Sequence, residues 1–175
     1  SLSTTMITNL IAEDKVEPVA LLAIPGPGVN PHSFSVFDNA YILSGAIDYR
    51  GRETAKLVQA EVAEVIRKID QKGINKVAVV GKFSVRNNQH EQEITKYVAD
   101  HYPHIQVEMG HQTAGQLNFP RRAATTQLTA ATRPAYRCFI DQIRAALKER
   151  RIEAPVYILK ADGGTLPLER AVDVP

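Results

Sequence analysis

Apolar and polar positions alternate between two periods along this chain. Within residues 4–13, Ile7, Leu10 and Ile11 recur at helical spacing, which predicts a short helix. Val19-Ala20-Leu21-Leu22-Ala23-Ile24 is an unbroken apolar run cut off by Pro25-Gly26-Pro27-Gly28, the pattern of a buried strand followed by a turn. Short strands are expected at 34–36 and 40–43, and Asp48-Tyr49-Arg50-Gly51-Arg52 has turn chemistry. A long helix is predicted over 52–71, with Leu57, Val58, Val62, Val65, Ile66 and Ile69 as its apolar stripe and Gly73 as its stop. The Val-rich segment 76–80 reads as a strand. Asn87 can cap a helix carrying Ile94, Val98 and Ala99, which Pro103 ends. Another strand follows at 105–109, then a polar loop at 110–121. Residues 125–151 read as helix, with a break or kink at Arg133-Pro134, because proline removes a donor and crowds the preceding turn. A strand at 156–159, the turn Asp162-Gly163-Gly164-Thr165 and a short helix at 167–171 complete the pattern.

After residue 52 the order is α, β, α, β, α, β. That alternation predicts the α/β class, with a mixed or parallel sheet flanked by helices. Ligands of open α/β sheets sit beyond the carboxyl ends of the strands. Three loops are expected to leave such ends: 81–91, 110–126 and 161–166.

Composition narrows the function classes. The chain has 175 residues, 44% hydrophobic and 23% charged, which is globular rather than disordered. Lys and Arg number 21 against 19 acidic residues, so no nucleic-acid partner is expected from charge. The one cysteine, Cys138, cannot form an internal disulfide, and its place on an apolar helix face suggests a buried filler. No apolar run approaches the roughly 20 residues of a membrane span, and no secretory leader pattern is present. A cytoplasmic protein with no membrane partner is the expectation. The opening Ser1-Leu2-Ser3-Thr4-Thr5 and closing Ala171-Val172-Asp173-Val174-Pro175 read as cut ends, so an internal piece of a longer protein is expected.

Four places could carry chemistry. Ser84-Val85-Arg86-Asn87-Asn88-Gln89-His90-Glu91 gathers a hydroxyl, a guanidinium, carboxamides, an imidazole and a carboxylate at one strand end. Helix capping, with an acid in the first turn, explains the same residues structurally. Arg121-Arg122-Ala123-Ala124-Thr125-Thr126 before a helix suits an anion, or simply capping and surface charge. Asp162-Gly163-Gly164-Thr165 allows close backbone approach to a phosphate, or merely a tight turn. Ser3, Thr4, Thr5, Thr8 and Asn9 could touch a substrate or cap a helix. Other motifs fail. No phosphate-loop signature, complete dinucleotide glycine pattern or G-x-S-x-G is present, and His111 is isolated. With one Cys and no HExxH, no metal site is expected.

Taken together and in order, these segments resemble the hydantoinase/oxoprolinase family, specifically its A-type, ATP-dependent subunit. Leu2-Ser3-Thr4-Thr5-Met6-Ile7-Thr8-Asn9 looks like the family's STT-x-x-TN stretch, and Phe83 to Glu91 like F-S-x-x-N-P-x-H-E. Arg122 to Ala130 with Arg133-Pro134 looks like R-x-x-TT-x-x-NA followed by RP, and VYILKADGG at 156–164 like the next strand and turn. Asn88 stands where the family has Pro, and Thr129 where it has Asn. The family's D-x-GGT-x-TD phosphate loop and SGPA segment are not within these residues.

The resemblance implies a portion of an actin-like ATPase (ribonuclease H-like) fold. Residues 1–50 would be the end of the N-terminal family region and 51–175 the first part of the α/β domain. It implies a parent hydrolase that opens cyclic amides such as hydantoins or 5-oxoproline with ATP and Mg2+, beside a B-type subunit or domain. A ketone carboxylase subunit, or a non-catalytic regulatory or assembly module of the same fold, are the alternatives. His90 would serve as acid/base, since imidazole titrates nearest neutrality, with Glu91 beside it and Arg122 facing phosphoryl charge. Thr4, Thr5, Asn9, Ser84, Asn87, Arg121, Thr125 and Thr126 would line the substrate, and Asp162, Gly163 and Gly164 the nucleotide cleft. The isolated 175 residues are expected to hold no cofactor tightly and to be inactive.

Overall fold

The computed structural model describes residues 5–30, 34, 37–160 and 163–171. In chain order the elements are α1 (Met6–Ala12), β1 (Ala20–Ile24), β2 (Ala40–Ile42), β3 (Ala46–Ile47), β4 (Glu53–Ala55), α2 (Gln59–Gln71) and β5 (Lys76–Gly81). They continue as α3 (Gln89–His101), β6 (Gln106–Met109), α4 (Gly110–Thr113), α5 (Phe119–Glu149), β7 (Tyr157–Leu159), β8 (Thr165–Pro167) and α6 (Leu168–Ala171). Residues 18–130 form one compact unit, and the described residues before 18 and after 130 form another.

The first unit is built on a four-stranded sheet in the order β2-β1-β5-β6. Every pairing in it is parallel, and β1 meets β5 from Ala20 opposite Val77 to Ile24 opposite Gly81. Both central strands are buried along their whole length, which is why their sequences run apolar without alternation. Ala20, Leu22, Ile24, Val77 and Val79 share one core with Val62, Ile66 and Ile69 of α2 and Ile94 and Val98 of α3. Each fully buried Val, Leu or Ile among them contributes roughly 1.5–3 kcal/mol.

The second unit packs the later part of α5 with the hairpin β7–β8 and α6. Tyr136, Ile140, Ile158, Leu168 and Ala171 are its core, and Met6 and Ile7 of α1 pack against them.

Several expectations are corrected. The helix predicted from residue 52 begins at Gln59, because residues 53–55 pair antiparallel with β3. The Asp48 carboxylate accepts the backbone N–H groups of Arg50 and Arg52 at 2.8 and 2.9 Å, which closes a hairpin turn and sends the chain back as a strand. Gly51 takes φ +83 in that turn, a value open to glycine. The expected strand at 34–36 is not formed by Phe34, and 35–36 lie outside the described residues.

Helix α5 starts six residues earlier than predicted and passes through Pro134 without the break. Asn118 Oδ1 accepts the Arg121 N–H at 3.1 Å and opens the helix there. Pro120, in the first turn, lacks only a donor that would have no intrahelical partner. The last strand does not join the parallel sheet. β7 pairs antiparallel with β8, so it leads into the second strand of a hairpin rather than out of a parallel sheet. Cys138 is exposed, not a core filler. Among the described residues, no helix is long and apolar enough to cross a membrane.

Candidate functional site

Two exits from the parallel sheet meet around Gly81, the last residue of β5. Glu91, in the first turn of α3, is 0% exposed. Its Oε1 accepts the Gly81 N–H at 2.9 Å. Its Oε2 accepts the backbone N–H of His111 at 3.1 Å and lies 2.5 Å from His111 Nδ1. One carboxylate thus ties the end of β5 to the residue that follows β6 and Gly110. Gly110 is required by this approach: a Cβ there would lie 2.8 Å from Val80 Cγ1 and 3.0 Å from Glu91 Oε1.

Arg122 reaches the same peptide from α5. Its guanidinium donates to the carbonyls of Gly81, Lys82 (2.7 Å) and Gln116. Gly81 is therefore gripped on both sides, N–H by a carboxylate and C=O by a guanidinium. Burial pulls Arg122 below its ordinary pKa, and the nearby Glu91 charge opposes that shift. Ser84 Oγ also donates to Gly81 O at 3.0 Å. Thr126 Oγ1 donates to Arg122 O and lies 2.7 Å from Thr113 Oγ1, joining α5 to α4.

Beside this clamp is an open cavity of about 490 Å³, lined by Gly51, Ser84, Val85, Arg86, Asn87, Asn88, His111 and Gly115. Asn87 Nδ2 donates to Gly51 O at 2.9 Å, and its Oδ1 accepts the Gln89 N–H, so it opens α3 from one position before the N-cap. The N-cap residue Asn88 makes no capping bond with its side chain. Its Nδ2 instead meets His111 Nε2 at 2.9 Å. His90 is turned elsewhere: it is 2% exposed, does not line the cavity, and places Nε2 2.8 Å from Glu53 Oε1 of β4. The hydrogen bond from His90 is the main reason the Glu53 carboxyl is held below its ordinary range.

Of the residues singled out in the sequence, Ser84, Asn87, Glu91, Arg122 and Thr126 gather around the Gly81 turn. Arg121 and Thr125 do not join them. They lie within the first two turns of α5, not before it, and share an exposed face, while Arg122 and Thr126 share the buried one. Thr125 Oγ1 bonds back to Arg121 O. Thr5 stands at the N-cap of α1 without a side-chain capping bond, and Asn9 is exposed on that helix. Gly163 and Gly164 belong to the β7–β8 turn, with Lys160 N–H donating to Gly164 O at 2.8 Å. Thr4 and Asp162 lie outside the described residues. Sequence reasoning missed His111 and Glu53. For His111 the available signal was its place in a strand-end loop; Glu53 carried none, because the expected helix hid its hairpin.

The sequence model of the hydantoinase/oxoprolinase N-terminal region matches residues 1–102. The chain belongs to the hydantoinase/oxoprolinase family. This family member is 29% identical over 135 residues to caprolactamase subunit alpha of Pseudomonas jessenii, which covers 75% of the chain and 19% of that protein. It therefore spans about a fifth of the length of that curated relative. The crystal structure of the ATP-dependent caprolactamase from Pseudomonas jessenii superposes with a TM-score of 0.77 at 24% identity, over 95% of this chain and 27% of that one. Nucleotide-free acetone carboxylase superposes with a TM-score of 0.75 at 14% identity, over 93% of this chain and 27% of that one. The hydantoinase/oxoprolinase chain is thus α/β, with a parallel four-stranded sheet and flanking helices, and shares its fold with these two structures.

Proposed function

We propose that the full-length protein is an ATP-dependent hydrolase of a cyclic amide, such as a hydantoin, 5-oxoproline or a lactam. The observation that carries this reading is the convergence of the turn after β5 and the segment after β6 on one polar cavity at the carboxyl end of a parallel sheet, with Arg122 of α5 holding the turn from behind. Family membership and the likeness to a caprolactamase alpha subunit support the substrate class. Ring amides are poor electrophiles, so coupling their opening to ATP is chemically apt.

Gly163 and Gly164 form a hairpin turn, and among the described residues no three His, Cys, Asp or Glu side chains are grouped to hold a metal ion. ATP and Mg2+ are assigned to the full-length protein, as the likeness to an ATP-dependent caprolactamase supports for ATP. Within this chain, Arg122 and Glu91 fix the backbone of the cavity wall, and Ser84, Asn87, Asn88 and His111 face the substrate. A B-type subunit or domain supplies the rest of the reaction chamber, in the cytoplasm where ATP is abundant. The isolated 175 residues are inactive.

The likeness to acetone carboxylase favours one second reading, a ketone carboxylase. Phosphate release by the full-length protein with its partner separates the two. Stimulation by hydantoin, 5-oxoproline or ε-caprolactam is expected. Stimulation only by acetone with bicarbonate would replace the reading with the carboxylase. No stimulation by either class would leave a non-catalytic module.

A further inference from the structure

We infer that His111, locked by Glu91, is the imidazole that meets the ligand in this cavity, and that its Nε2 accepts the hydrogen bond of a ring N–H. This rests on the cyclic-amide reading and deepens it by naming the group that tells a cyclic amide from a ketone. Two histidines lie near the site, each beside a carboxylate, and their surroundings separate them. The side chain of His90 is 3% exposed and spends Nε2 on Glu53, away from the cavity. The side chain of His111 is 16% exposed and lines the cavity.

The tautomer of His111 follows from its partner. Glu91 is fully buried and already holds two backbone N–H groups, so its orientation is fixed. An ionised carboxylate only accepts, so His111 Nδ1 carries the proton it presents to Oε2. Nε2 is then a lone pair, and it points at Asn88, whose Nδ2 donates to it. That contact is replaceable. Asn88 stands at the start of α3 but does not cap it, so turning its side chain leaves the helix start intact. Asn87 does that work instead.

His111 Nε2 and the Asn88 amide thus present an acceptor next to a donor. An amide held in a small ring is cis, and shows its N–H and C=O on one edge. The ring N–H matches His111 Nε2 and the ring C=O matches Asn88 Nδ2–H, so one internal hydrogen bond is exchanged for two to the ligand. A ketone, or an amide alkylated on nitrogen, has no donor for Nε2. The imidazole would then keep its bond to Asn88 or lose its partner, a penalty that a site built around a polar group imposes on analogues lacking the match. His90 serves as a strut between α3 and the β3–β4 hairpin.

The test uses the full-length protein with its partner and diethyl pyrocarbonate, which acylates unprotonated imidazole nitrogen, mapped by peptide mass spectrometry. His111 should be modified well before His90. ε-Caprolactam should slow that modification, and N-methylcaprolactam should not. His111→Gln should raise KM for caprolactam about tenfold, the loss of one hydrogen bond, with kcat changed far less. Three results would overturn the inference: His90 reacting as fast as His111, equal protection by the N-methyl lactam, or an unchanged KM in His111→Gln. The protection experiment needs no variant, so a misfolded His111→Gln leaves it decisive. Lactam turnover without protection of His111 would remove this inference and keep the proposed function. Protection by caprolactam without cyclic-amide-stimulated ATP turnover would do the reverse.

Discussion

Gly110→Ala tests the clamp around Gly81 most directly. The added Cβ would sit 2.8 Å from Val80 Cγ1, 3.2 Å from Val80 Cγ2 and 3.0 Å from Glu91 Oε1. Non-bonded carbons rest about 3.5–4.0 Å apart, so the closest contact must open by at least ~0.7 Å. Neither neighbour yields easily. Val80 is 0% exposed and β-branched, hence stiff at χ1. Glu91 is pinned by three N–H groups. Overpacking of this kind costs about 1–3 kcal/mol. If Glu91 gives way, a hydrogen bond to a charged group is lost as well, worth roughly 1.5–3 kcal/mol. The assay is amide hydrogen exchange at Gly81 and His111, the two backbone donors to Glu91. A loss of about 2 kcal/mol in local opening free energy speeds their exchange roughly 30-fold. Gly115→Ala, at the wall of the neighbouring cavity, is the control. A Cβ there meets nothing within 4 Å, and its φ is not positive, so it should be neutral or stabilise by about 0.4–1 kcal/mol. Exchange in Gly110→Ala within threefold of the parent, or equal effects of the two variants, would refute the argument.

Other changes have definite outcomes. Arg122→Met leaves three carbonyls without their shared donor and Glu91 without its nearby positive charge. It should destabilise by about 3 kcal/mol, a fall in melting temperature of roughly 6–12 °C, with Arg122→Lys in between. A melting temperature unchanged in Arg122→Met would contradict the clamp. Asn118→Ala removes the side chain that opens α5 and should cost about 1 kcal/mol, read as a lower urea midpoint; no change would show that another group caps the helix. Glu53 gives a pH signature. Its folded pKa is lowered, so its contribution is fully present above the unfolded value and is lost as pH falls through the folded one. Glu53→Gln should therefore be less stable than the parent at pH 7, with the gap closing as pH drops below the ordinary value of 4.5. Equal gaps at pH 7 and pH 3 would exclude the His90–Glu53 bond as the cause.

Much of this was legible in the sequence because burial on both faces leaves an unmistakable trace. The apolar runs of β1 and β5 were read within a residue or two of their observed limits, and the end of α2 was read correctly, though not its start. Boundaries set by a single polar contact were not. Asp48 turning the chain into β4, and Asn118 starting α5, are side-chain to backbone bonds with no periodicity to announce them. Pro134 marked a break that the rest of a 31-residue helix overrides. The site divides in the same way. Ser84, Asn87 and Glu91 are close in sequence at one strand end, so their grouping could be expected. The partnership of Glu91 with His111, twenty residues on, depends on β6 lying beside β5, and only the sheet order brings it about.

That sheet order has a consequence for how the protein is made. β1 cannot find its neighbour β5 until the intervening stretch has left the ribosome, about 50 residues that take roughly 3–10 s to synthesise. Through that interval Ala20-Leu21-Leu22-Ala23-Ile24, fully covered in the finished molecule, has only the short β2 to lie against. Such a segment is a ready template for intermolecular association. Soluble yield should therefore respond to growth temperature and chaperone supply more than to any change at the cavity.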